Sequence, residues 1–175
     1  MSLSRLGAVV AALSLLSGAA WAQPAAKPTD PQIAHIAYTA GQIDIEAAQQ
    51  ALKKTKNKEV RDFANNMVKD HTAVNKQALA LVRKLKVTPA DNDTSRSLVK
   101  SAKAKLAELA KLKGRPFEKA YIDNEVAYHK TVNGALANTL IPSASNAELK
   151  SLLETGLKIF QGHEQHAEML AAKFK

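Results

Sequence analysis

From residue 31 onward, apolar and small residues recur in steps of three and four, the period of an amphipathic helix. Ile33, Ile36, Ala37, Ala40, Ile43, Ala47, Ala48 and Ala51 predict a first helix over 31–54. Asp30-Pro31 reads as its N-cap and a proline at the first helical position. After the break Lys56-Asn57-Lys58, the stripe Val60, Phe63, Ala64, Met67, Val74, Ala78, Leu81 and Leu85 predicts a second helix over 58–86. Residues 87–93 include Pro89 and three Asp/Asn residues and open a loop. A shorter helix over 94–113 turns Leu98, Ala102, Leu106, Leu109 and Leu112 inward, with Gly114 as its stop and Pro116 as the next start. The fourth helix, 116–140, carries Ile122, Val126, Val132, Leu136 and Leu140 and ends before Ile141-Pro142-Ser143. Ser145-Asn146-Ala147-Glu148 reads as a capping box. It opens a last helix over 146–173, with Leu149, Leu152, Leu153, Ile159, Phe160, Ala167, Leu170 and Phe174 inward. No period-two run is long enough for a strand, and no internal repeat is found.

Four long helices with one short helix in the middle connection predict an all-α protein. The 94–113 segment spans roughly 30 Å at 1.5 Å per residue, enough to carry the chain back along a bundle. Two hairpins joined by one long crossover are the connection pattern of a ferritin-like four-helix bundle, here with an extra short helix in the crossover.

Polar residues interrupt the stripes at particular places. Asp44, His71, Glu125, His129 and His163 all occupy core positions, at least one on each long helix. Glu125 and His129 are four apart and share a face. Let the first hairpin turn at one end and the crossover return the chain to that end. Asp44 then lies ~18 Å from the turn, His71 ~20 Å, Glu125 ~14 Å, His129 ~20 Å and His163 ~16 Å, at 1.5 Å per helical residue. All four helices would therefore bring ionisable groups into one slab. Imidazole and carboxylate in such a slab suit zinc, copper, nickel, iron or manganese. The same layer also reads as a metal-free hydrogen-bonded cluster that fixes helix register.

Other features carry less. His163-Glu164-Gln165-His166 lacks the four-residue histidine spacing of a metalloprotease helix. His35 reads as a surface residue, Met67 and Met169 as core filler, and Lys103, Lys105, Lys111 and Lys113 as a solvated face.

The first residues change the picture of compartment. Arg5, an apolar run from Leu6 to Ala20 and Ala20-Trp21-Ala22 predict a cleavable signal peptide over 1–22. The run is shorter than the ~20 residues of a membrane span. A Pro/Ala-rich leader, 23–30, then precedes a domain over 31–174, and the expected location is the periplasm. The chain of 175 residues contains no cysteine, which excludes disulfides and thiolate metal sites. Its net charge of +9 comes from lysines spread over every helix, without interleaved aromatics. That argues against nucleic acid as a partner and allows loose contact with anionic envelope surfaces.

Several segments resemble one family. They are Ala40-Gly41-Gln42-Ile43-Asp44-Ile45-Glu46, Val60-Arg61-Asp62-Phe63-Ala64, and Met67-Val68-Lys69-Asp70-His71-Thr72. With them go the run from Gly114 to Ile122, His129, and His163 with Ala167. The chain is similar over about 31–174 to bacterial exported proteins grouped as a ferritin-like domain of unknown function. The resemblance implies a ferritin-like bundle and assigns no activity. The paired Glu-x-x-His motifs of iron-oxidising ferritins are missing from helix two and the last helix, which argues against their di-iron centre. Three readings follow. The first is a non-catalytic periplasmic metal-binding or stress-related bundle, with Asp44, His71, Glu125, His129 and His163 as ligands or their supports. The second is a structural or envelope-interaction module with a merely structural polar layer. The third, an enzyme using that layer, ranks last because no nucleophile, Gly-rich loop or cofactor motif accompanies the histidines.

Overall fold

A computed structural model describes residues 27–174. The expected signal peptide, 1–22, and leader residues 23–26 lie outside the described residues. The helices are α1 (Asp30–Lys54), α2 (Lys58–Lys84), α3 (Asp93–Lys111), α4 (Gly114–Ala135), a π-helical turn (Leu136–Leu140), α5 (Ile141–Ser143) and α6 (Ala147–Ala172). Among the described residues there is no strand. None of their helices is long and apolar enough to cross a membrane.

α1 and α2 form one antiparallel hairpin and α4 and α6 the other; α2 also packs on α6, and α1 on α4. α3 is the crossover. It starts beside the beginning of α1, where His35 meets Ser95, and ends beside its last turn, where Lys54 Nζ donates to the Ala110 carbonyl. The chain thus returns to the α1–α2 turn before α4 begins, the topology on which the slab of polar residues depends. Because α3 lies on its outer side, α1 is buried on two faces, with Ala34, Thr39 and Ile45 covered as well as Ile36 and Ile43. α3 itself buries fully only Ser95 and Leu109, so Leu98, Leu106 and Leu112 are half-buried rather than core.

Helix ends depart from the sequence reading in detail. Thr29, not Asp30, caps α1, and its backbone N–H donates to Gln32 Oε1 at 2.9 Å. Asp30 instead accepts the backbone N–H groups of Ser145 and Asn146, each at 2.9 Å, tying the start of α1 to the start of α6. Burial would raise the pKa of that carboxyl, but the Ser145 hydroxyl, which also donates to it, and these two N–H groups outweigh burial and lower the pKa. Asn146 is the cap of α6, accepting from Glu148 N and Leu149 N. Gly114 has φ +55°, a conformation that glycine adopts without strain, and turns the chain into α4 rather than closing α3. The fourth helix does not stop at 140. Pro142 cannot donate to the carbonyl of Asn138 and would crowd it, and the π turn widens the helix there so that the chain stays helical to Ser143.

The core falls into two apolar clusters. One, toward the α1–α2 turn, contains Val60, Phe63, Met67, Phe117, Tyr121, Ile122 and Leu170. The other, toward the opposite end, contains Ile33, Ile36, Leu136, Leu140, Leu149, Leu153 and Phe160. The ionisable residues lie between them.

Candidate metal centre

Asp44 comes from α1, His71 from α2, Glu125 and His129 from α4, and His163 from α6. Each sits where its helix's apolar stripe turns inward, so folding the stripes inward buries all five. Asp44, Glu125 and His129 are 1% exposed, His71 3% and His163 7%. The three imidazoles form a triangle with ring centroids 5.8 Å (His71–His129), 5.3 Å (His71–His163) and 5.5 Å (His129–His163) apart. One donor atom from each can be chosen so that all three lie within 4.8 Å of one another, and the same holds for Asp44, Glu125 and His129. Asp44 Oδ2 stands 3.0 Å from His71 Nε2 and 3.3 Å from His129 Nε2. Neither contact is aligned as a hydrogen bond, and these atoms are buried without partners. Close, unaligned lone pairs are what a cation between them would draw together.

The backbone and a carboxylate set the ring tautomers. His129 Nδ1 lies 2.9 Å from the carbonyl of Glu125, so a neutral ring donates there and turns an unprotonated Nε2 into the layer. His163 Nε2 lies 3.1 Å from Asp70 Oδ2, which leaves Nδ1 as the free, buried nitrogen. Phe160 stacks on His71 at 4.4 Å with the planes 10° apart, fixing that ring from below.

Charge in the layer is unevenly shared. Burial pushes the Asp44 carboxyl upward, but His71 and His129 outweigh it and hold its pKa at about 2. Burial, and then the Asp44 charge, push Glu125 well above the usual carboxylate range. The pair thus holds one negative charge and one proton at neutral pH. Burial lowers His129, and it lowers His163 to about 4 despite Asp70, so both rings are neutral as metal ligation requires.

Asp70 takes part in the contact with His163, and the expected site does not include it. Its signal was its place directly before His71 in the Met67–Thr72 segment. Two lesser expectations fail. His35 is not a surface residue: its Nδ1 bonds Ser95 Oγ at 2.8 Å across the α1–α3 contact. Met169 is not core filler, being 62% exposed, whereas Met67 is fully buried.

Residues 15–170 match the family described as Domain of unknown function (DUF4142). The chain belongs to this family. Among solved structures, the DUF4142 chain is similar to a DUF305 protein from Streptomyces coelicolor named as a candidate secreted protein. The TM-score is 0.70 at 13% identity, over 82% of this chain and 91% of that one. A DUF305 fragment from Deinococcus radiodurans gives 0.70 at 14%, covering 85% and 99%. CopM in its Cu(II)-bound form gives 0.66 at 14%, covering 86% and 100%. At such identities the likeness shows a shared helical-bundle fold. No curated protein matches the chain significantly.

Proposed function

We propose that this DUF4142 protein is an exported, non-catalytic bundle that holds a transition-metal ion in its buried histidine–carboxylate layer. His71, His129 and His163 would be the ligands and Asp44 the adjoining charge. Glu125 would support the layer through its proton and through the backbone carbonyl that orients His129. The observation that carries the reading is the convergence of buried, unpartnered nitrogen and oxygen atoms from all four long helices. Three imidazoles with a carboxylate suit copper, zinc and nickel better than magnesium or calcium. Similarity in fold to CopM, which is known in a Cu(II)-bound form, puts copper first. Export to the periplasm is supported by Ala20-Trp21-Ala22 after its apolar run and by the DUF305 relative named as a candidate secreted protein.

Calorimetry with Cu²⁺, Zn²⁺, Ni²⁺ and Fe²⁺ tests this. The wild type should bind one ion per chain, copper tightest. His71→Ala and His163→Ala should each lose it while circular dichroism still reports a folded bundle. Lys100→Ala, at an exposed position, is the control. If the wild type binds none of these ions at micromolar concentration, the layer is structural, and the interaction-module reading replaces this one.

A further inference from the structure

Beyond the polar layer, the bundle is hollow at the end away from the α1–α2 turn. A cavity of about 700 Å³ lies there between α1, α2, α4 and α6, a size that encloses a drug-sized ligand. Its walls include Ile36, Val74, Val132, Leu136, Leu153 and Phe160. Small residues, Ala37 and Ala40 on α1 and Gly156 on α6, hold the space open. The sequence pattern points to the same gap independently. The apolar stripe of α2 runs on through Val74 and Ala78 as regularly as through Phe63 and Met67, yet these two, which line the cavity, stay half-buried. Protein interiors close-pack, and only an apolar occupant would complete the burial of this stripe.

The occupant's shape and polarity can be read from the lining. Along α1 the cavity runs from Gln32 to Asp44, ~18 Å at 1.5 Å per residue, the shape of a chain rather than a ring. Asp44, His71 and His129 border its inner end, but the Asp44 oxygens, both His71 nitrogens and His129 Nε2 are buried. What they present to the cavity is therefore carbon. Lys27, Asn92, Asp93, Thr94 and Thr139 lie at the rim, while deeper in, the Tyr128 hydroxyl donates to the Ala40 carbonyl and the Asn75 amide to the Tyr38 carbonyl and Gln42. Asp93 is turned outward to Arg96, which it shares with Asp91, and Lys27 is the one lysine or arginine among the lining residues.

We propose that this cavity binds the hydrocarbon chain of a long-chain carboxylic acid. The tail runs toward the polar layer, and the carboxylate rests at the rim beside Lys27. The proposal is independent of the metal reading, because none of the layer's donor atoms takes part.

Dodecanoate below its micellar concentration, titrated into the protein by calorimetry with a chelator present, tests it. Saturable binding of one molecule per chain is expected. Val132→Trp and Ala37→Phe fill the cavity from two helices, and each should weaken binding about tenfold or more, the scale of blocking an apolar pocket. Circular dichroism checks that both variants fold. Lys27→Glu should weaken dodecanoate several-fold and leave dodecanol unchanged. Absence of saturable binding, or wild-type binding in both filled variants, overturns the site. Equal response of acid and alcohol to Lys27→Glu overturns the head placement. A dimer that dodecanoate dissociates overturns the proposal by making a second copy the occupant.

Discussion

Asp70 gives the sharpest test of how the layer works. It touches no other member of the layer, yet its Oδ2 lies 3.1 Å from His163 Nε2. The carboxylate therefore holds the proton of His163 on Nε2 and leaves the buried Nδ1 lone pair free. Carboxylates that orient ligating histidines are worth 10–100-fold in metal affinity on removal. The Asp70 side chain is 33% exposed, so solvent screens its charge and places it at the low end of that range. Asp70→Asn keeps an oxygen that accepts from Nε2–H and removes only the charge. It should weaken Cu²⁺ about tenfold, about 1.4 kcal/mol. Asp70→Ala releases the ring as well and should weaken Cu²⁺ further. The metal-free protein separates ligation from packing. There Asp70→Asn should leave the urea midpoint nearly unchanged, while Asp70→Ala lowers stability by about 1 kcal/mol through the lost hydrogen bond. Both variants go through calorimetry with Cu²⁺ and urea denaturation in chelator. Wild-type copper affinity in both would refute the orienting role.

Three further outcomes follow from the same geometry. His35→Ala should destabilise the bundle by about 0.5–1.5 kcal/mol in urea, because it leaves the buried Ser95 hydroxyl without its α1 partner; a silent variant would return His35 to the surface. Tyr121 is fully buried with an unpartnered hydroxyl, so Tyr121→Phe should be neutral or stabilising by thermal melting, and a marked loss would mean that the hydroxyl has a partner. Metal-free stability should show opposed pH slopes. Between pH 6.5 and about 4 the unfolded chain protonates His163 and the folded one does not, so that ring makes stability fall as pH falls, whereas Glu125, raised in the fold, makes stability fall as pH rises above 4.5. Glu125→Gln should therefore expose a rise in stability from pH 4 to 6.5, and a flat urea profile in that variant would sink the assignment.

Most of the architecture was legible because it rests on periodicity. Steps of three and four from Ile33 to Ala51 and from Val60 to Met67 mark faces that only a helix brings together. The polar slab was legible for the same reason: residues at core positions of known height must meet once the topology is known. Four things were not legible; three depend on a partner distant in sequence and one on a local change of helix type. Asp30 is acidic and precedes a proline, as a cap would, but its role comes from Ser145 and Asn146, over a hundred residues away. His35 faces away from the bundle's centre and so reads as exposed; α3 covers that side. Asp70 lies off the stripe of its own helix, and its relevance arises from the angle at which α6 passes. Pro142 reads as a helix stop by local rules, and the π turn before it absorbs the clash that would have ended the helix.

The hollow end and the polar layer belong to one economy of stability. The cluster around Phe63, Phe117 and Tyr121 is packed and apolar and must carry much of the folding free energy. The layer opposes it. Ring nitrogens of His71, His129 and His163 are buried without an aligned partner. A buried polar atom left unpaired loses its water and gains nothing in return, so the layer works against folding. A sequence selected for packing alone would place apolar residues here, as this chain does at the flanking stripe positions Ala40, Ala48, Met67, Val74, Ile122, Val132, Phe160 and Ala167. A bound cation that takes several of these lone pairs at once offsets the cost in the folded state only, because the unfolded chain does not assemble the donors. On the proposed reading, the cost of the metal-free layer and the gain from an ion have one physical origin, and Asp44 illustrates it. Its charge is kept in the fold, at a pKa of about 2, although burial works against it. In the metal-free fold its charge is held by the two imidazoles and by the proton that Glu125 keeps beside it.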